Sequence, residues 1–216
     1  MKQIFFIVEG WTEEVFYRRS FSEYFSSTHY FSVVVMPNKK NTSARKHKGG
    51  SINYIDCINN IKRFLAGATH CEKVILIYDY YGLHKSFTDH LTPTHNTLDK
   101  RIEAIQQRLE SDIKNPRFKF TLQVHEFEAY LFSNPQVIAD HFNDIGSLSD
   151  LNKILAGANN NPELINNSEI TAPSKRLETL YPSYQKVSDG ISIIDKIGIQ
   201  TVRDNCNYFN SFCSSL

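Results

Sequence analysis

The chain has almost no net charge and no apolar run long enough to cross a bilayer. Its 216 residues carry 24 Lys and Arg against 23 Asp and Glu, a formal charge of +1. No field of one sign therefore marks it for a polyanion or a membrane surface. A membrane helix needs roughly 20 consecutive apolar residues. The opening run Ile4–Val8 falls far short, and acids follow it too soon for a secretory signal. Cysteine is scarce: Cys57, Cys71, Cys206 and Cys213 are the only four. None forms a CxxC pair, which argues against a zinc site. A disulfide framework is equally unexpected in a chain of this length, and reduced thiols in a cytoplasmic protein are the reading. There is no internal repeat and no low-complexity tail. The length suits one α/β domain, or one domain with an appendage.

What is present is a set of short apolar strands, each ending in acid. Gln3–Val8 runs into Glu9, Lys73–Tyr78 into Asp79, and Arg117–Val124 into His125-Glu126-Phe127-Glu128. Tyr30–Met36 reads as a further buried strand, closed by Pro37. Helical spacing of apolar residues predicts helices after Thr12, with Thr12 as cap. It predicts another after Ser51, with a face of Ile52, Ile55, Ile58, Ile61 and Leu65. A third carries Leu98, Ile102, Ile105, Leu109 and Ile113. The alternating order predicts an α/β fold with a mainly parallel central sheet and helices on both faces. Residues 1–132 form the α/β part. Residues 133–216, broken by Asn and Pro clusters into short helical pieces, form a helical appendage belonging to the same structural unit.

In open α/β sheets ligands bind beyond the carboxyl ends of the strands. Glu9, Asp79 and Glu126 are therefore expected to meet, with Glu13 one helical turn after Glu9. Glu13 and Glu14 also suit a helix start, where the dipole favours acids without any catalysis. Such a set suits Mg2+ or Mn2+, which take carboxylate oxygens together with water and phosphate. Glu9 is either a ligand or a general base. Glu126 and Glu128, two residues apart, share a face only in an extended segment. Glu126 is the preferred ligand, and Glu128 is a second ligand or a loop anchor.

Two basic elements are candidate phosphate contacts. Lys39, Lys40, Arg45, Lys46 and Lys48 lie in a stretch without acid, ahead of Gly49-Gly50. Lys175 and Arg176 follow Ala172-Pro173-Ser174 at a predicted helix start. The first is equally a solvated loop, and the second equally a capped helix with Arg176 tied to a carboxylate. Trp11, Tyr80 and Tyr81 stand beside the acids, either as packing or as stacking surfaces for a base.

The string Val8-Glu9-Gly10-x-Thr12-Glu13 resembles the first-strand motif of the Toprim fold, found in topoisomerases, primases and overcoming-lysogenization-defect nucleases. More closely, VEGWTEE at 8–14, Gly49-Gly50, DYYG at 79–82, HEFEAYLF at 125–132, APSKRLETLYPSYQK at 172–186 and IGIQTVRDNC at 197–206 resemble the bacterial domain-of-unknown-function family 4276, regarded as Toprim-like. The resemblance implies a Toprim-like fold and a magnesium- or manganese-dependent nuclease acting on DNA or RNA. It also implies an ABC-type ATPase partner in anti-phage defence; a homodimer stays open. Where the Toprim pattern has Asp-x-Asp, this chain has Asp79-Tyr80-Tyr81, so Glu126 or Glu128 must supply the missing carboxylate, or the site holds one metal, or the module is not catalytic. A small-molecule phosphatase, with Gly82–Asn96 as its lid, is a third reading.

Overall fold

The computed structural model describes residues 1–37, 52–124, 126–165 and 170–216. Lys39, Lys40, Arg45, Lys46, Lys48, Gly49-Gly50 and His125 lie outside the described residues. Four strands form one sheet: β1 (Lys2–Val8), β2 (His29–Val35), β3 (Lys73–Asp79) and β4 (Phe118–Gln123). They are all parallel and lie in the order β2-β1-β3-β4. Val8 is the hinge of the register, opposite Val35 on one side and Ile77 on the other.

The order follows from the texture of the strands. In β1, Phe6, Ile7 and Val8 are buried in succession, and in β3 every residue from Val74 to Tyr78 is buried. Near-continuous apolar runs suit strands covered on both faces. In β4, buried Phe118, Phe120 and Leu122 alternate with exposed Lys119 and half-buried Thr121, as an outer strand allows. Its backbone is closed off by the preceding helix: Phe120 N donates to Glu110 at 2.9 Å and Leu122 N to Gln106 at 3.2 Å.

After Glu9-Gly10 comes α1 (Trp11–Phe16), continued by a π-helical turn and the short α2 (Ser22–Tyr24). Glu14 N donates to Gly10 O, so Gly10 and not Thr12 stands at the start; Thr12 is buried inside the first turn. Helix α3 is Tyr54–Gly67, capped by Asn53, which accepts from Asp56 N at 3.0 Å. It begins after the position read from Ser51, and its buried face is Tyr54, Cys57, Ile61 and Leu65. Ile55 is 64% exposed, because it lies about 100° round the helix from Tyr54, off the face that Tyr54, Cys57, Ile61 and Leu65 share. Helix α4 (Leu98–Ile113), capped by Thr97, buries Ile102, Ile105, Leu109 and Ile113, as its spacing predicts. Both β2-to-β3 and β3-to-β4 crossovers run the same way across the sheet. Right-handed connections then place α3 and α4 on one face, where they pack together.

The segment 82–96 is pinned rather than swinging. Phe87 is fully buried, 5.1 Å from the Tyr54 ring and 6.2 Å from Phe120. Arg108 lies 4.3 Å over the Tyr54 ring and donates to Asp89 Oδ1 at 2.6 Å and to Ser86 O at 3.3 Å. A lid needs a free arm, and these bonds hold the segment to α3 and α4.

The chain divides into two compact units, residues 1–14 with 25–122 and residues 15–24 with 123–216. The boundary falls after Leu122, ahead of the one read at 132, and the second unit recruits 15–24. The reason is aromatic packing: Phe16, Tyr17 and Phe21 share one cluster with Phe127, Tyr130, Phe209 and Phe212. Beyond a 3-10 turn at Phe127–Ser133, this unit is built from α5 (Pro135–His141), α6 (Leu148–Ala156), α7 (Pro173–Leu180), α8 (Ser188–Ile197), α9 (Ile199–Asn205) and α10 (Asn207–Ser214). No helix among the described residues is long and apolar enough to cross a membrane.

Candidate functional site

The chain leaves β1 towards β2 on one side and leaves β3 towards β4 on the other. Neighbouring strands whose connections part in this way open a crevice at their carboxyl ends, the usual ligand position in such sheets. Glu9 directly follows β1 and Asp79 closes β3. Both are half-buried. A Cβ added at Gly82 would lie 3.6 Å from Glu9 Oε2 and equally 3.6 Å from Asp79 Cβ. The Glu9 carboxylate, seventy residues away in sequence, thus reaches the exposed glycine of the turn that Asp79 opens. Burial raises the Tyr78 phenol, and the nearby Cys57 and Glu9 add to that rise, which also places Glu9 beside the end of β3.

Gly10 has a separate steric role. A Cβ there would meet Glu13 Oε2 at 2.6 Å, because the buried Glu13 side chain folds back over the helix start. The geometry is that of an acid at the third helical position turned towards its own N-terminus. Among the described residues, no group of three or more His, Cys, Asp and Glu side chains is gathered closely enough to hold a metal ion. The donor set at the crevice is the pair Glu9 and Asp79. Two carboxylates, oxygen donors only, suit a hard divalent cation that keeps waters and takes phosphate oxygens for the rest of its shell.

Glu126 and Glu128 belong to the helical unit and are engaged there. Glu126 Oε1 accepts from Ser174 N at 2.8 Å. The Lys186 ammonium lies 3.6 Å from Glu126 Oε2 and 3.0 Å from Glu128 Oε2. The two carboxylates therefore do meet, on one cation, because Glu126 is extended and only Phe127 onward turns. Glu128 is fully buried and also accepts from the Tyr184 hydroxyl at 3.3 Å. Burial pushes its carboxyl up to about 7; Lys186 opposes the rise and Glu126 adds to it.

The helix start at α7 does attract an anion, but the anion seen there is Glu126 on Ser174 N. Arg176 Nε donates to Thr171 O at 2.8 Å, not to a carboxylate, and Lys175 pairs with Glu178 at 2.6 Å on the surface. Lys186 and Tyr184 were missed by reasoning from the sequence. Their signal lay in the Tyr-x-Lys spacing of 184–186, which means nothing until the chain returns to Glu128. Glu163 left no local signal: its carboxylate caps α10 by accepting from Tyr208 N and Phe209 N.

A family model described as "Domain of unknown function (DUF4276)" matches residues 8–216. No curated protein and no solved structure matches the chain.

Proposed function

The chain belongs to the DUF4276 family, and we propose that it is a metal-dependent phosphodiesterase with a Toprim-like fold, a nuclease acting with an ABC-type ATPase partner in anti-phage defence. One observation carries the reading: the Glu9 carboxylate reaches Gly82, in the turn that Asp79 opens, at the crevice between β1 and β3. Glu9 and Asp79 would hold Mg2+ or Mn2+. Such an ion supplies Lewis-acid polarisation of a phosphate and an acidified water. Glu9, half-buried at the strand end, either completes that hold or takes the proton from the attacking water. Glu13, folded over Gly10, lies at the same strand end. The nuclease and defence parts of the reading rest on the resemblance of VEGWTEE and the strings that extend it.

A second reading is favoured by a different observation. Tyr81 stands where the Toprim pattern has its second aspartate, and Glu126 and Glu128 are engaged by Ser174 and Lys186. A module of this kind would bind a partner or a nucleotide without turnover.

Manganese titration separates the two. Wild-type protein should bind Mn2+, and Glu9→Gln and Asp79→Asn should each weaken binding at least about tenfold. Both should also abolish cleavage of labelled RNA or DNA. Unchanged manganese binding in both variants removes the phosphodiesterase reading.

A further inference from the structure

Most large aromatic side chains of the sheet unit are buried or half-buried. Tyr54, Tyr78 and Phe87 are at most 4% exposed. Trp11 and Tyr81 depart from this, at 60% and 50% exposed. Tyr30, 58% exposed, sits at the opposite end of the sheet, opposite Gln3 in the β1–β2 register. Exposure alone is therefore not the point; position is. Trp11 follows Glu9 by two residues, and Tyr81 lies between Asp79 and Gly82, so both stand just past the carboxyl ends of the neighbouring strands β1 and β3.

The Tyr81 ring is set by its neighbour. It stands 4.9 Å from Tyr80 at 82°, an edge-to-face contact that fixes the plane of one ring against the other. Burial and the Tyr80 phenol raise the Tyr81 hydroxyl, while the nearby Arg101 guanidinium opposes the rise. Arg101 is itself exposed, with Nε bonded to His95 O at 3.0 Å. Half-wet aromatic faces, a cation beside Tyr81 and acids at the same strand ends form a combination suited to a nucleotide. The faces take a base, the guanidinium takes a phosphate, and the acids lie where a divalent ion would meet the phosphodiester. Stacking needs an open base face, which a duplex interior does not offer.

We propose that Trp11 and Tyr81 form a stacking platform for unpaired nucleobases, making single-stranded nucleic acid the substrate of the Glu9–Asp79 site; the assignment rests on the phosphodiesterase reading above.

Trp11 is the only tryptophan in the chain, so its emission reports on its own face. The full chain is titrated with a labelled single strand of DNA, the same strand of RNA, an abasic strand of equal length and a duplex, in EDTA and again with calcium. Trp11 emission should be quenched by the base-bearing single strands and unmoved by the abasic strand. Trp11→Ala and Tyr81→Ala, both surface changes checked by circular dichroism, should each weaken single-strand binding by roughly 5- to 100-fold. Duplex binding should be equal in wild type and variants. The DNA and RNA arms decide which sugar is preferred. Unmoved emission while a strand binds overturns the proposal. So does full affinity in the double variant, or an absence of single-strand binding. Quenching without hydrolysis in manganese would remove the phosphodiesterase reading and leave the platform standing. Hydrolysis with equal rates in wild type and both aromatic variants would do the reverse.

Discussion

Replacing Glu163 by glutamine probes how the helical unit manages a buried charge. Glu163 is 2% exposed, and its two oxygens accept from Tyr208 N at 2.8 Å and Phe209 N at 2.9 Å. These are first-turn amides of α10, which need acceptors. Burial pushes the carboxyl from an ordinary 4.5 up to about 7, against the opposing pull of the two amides. Between those values the folded chain keeps a proton that the unfolded chain has released. Stability therefore falls as pH rises through that interval and levels off above it. At about 1.4 kcal/mol per pH unit, the full gap is worth roughly 3 kcal/mol. Glu128, also raised to about 7, acts in the same window, so the wild-type curve alone does not isolate Glu163. The difference between wild type and Glu163→Gln does. Glutamine offers one acceptor oxygen, leaves one amide unpaired and costs about 1–3 kcal/mol at any pH. Superimposed on that constant loss, the destabilisation should shrink by roughly 2–3 kcal/mol between about pH 5 and pH 8. Urea unfolding at several pH values in that range measures it. A difference that stays constant across the range would show that Glu163 ionises near its ordinary value, and the argument from burial would be wrong.

Three further outcomes are expected. Phe87→Ala should lower stability by about 3–5 kcal/mol and expose the 82–96 segment to trypsin at Lys85, read by limited proteolysis; an intact segment would show that Arg108 alone holds it. A Cβ at Gly190 would lie 2.9 Å from the Phe127 ring and 3.1 Å from the Tyr184 hydroxyl. Gly190→Ala should therefore cost about 1–3 kcal/mol by overpacking, despite its better helix propensity, and a raised melting temperature would contradict this. Lys186→Met removes the cation that restrains Glu128, so the Glu128 carboxyl should titrate above about 7, followed by carboxyl-carbon NMR. A carboxyl that titrates lower would mean that Lys186 is not its partner in solution.

The strands and the first pair of acids were legible because their signals are local. Runs such as Val74–Tyr78 state their own burial, and an acid at the end of a strand is carried to the edge of the sheet whatever follows. The face of α4 was equally plain from its spacing. The start of α3 was not, because Ser51, Asn53 and Tyr54 offer competing first positions, and only the Asn53 cap decides that Ile55 points outward. The start of the short helix α10 was not legible because it depends on a partner from elsewhere in the chain. For α10 that partner is the Glu163 carboxylate. That 15–24 groups with the second unit was not legible, because its apolar residues suit a sheet-covering helix and an aromatic cluster equally well.

Taken by itself, the order of residues determined that strands and helices alternate, and that β1 and β3 each deliver an acid at the carboxyl end. Periodicity and burial act over a few residues, and a few residues suffice to read them. Tertiary structure alone decided that Glu9 reaches the Asp79–Gly82 turn while Glu126 and Glu128 close on Lys186. Carboxylates are indistinguishable along a chain. Which cation, amide or neighbouring acid each one meets depends on the return path of segments many residues away, and on the cost of leaving a buried charge without a partner.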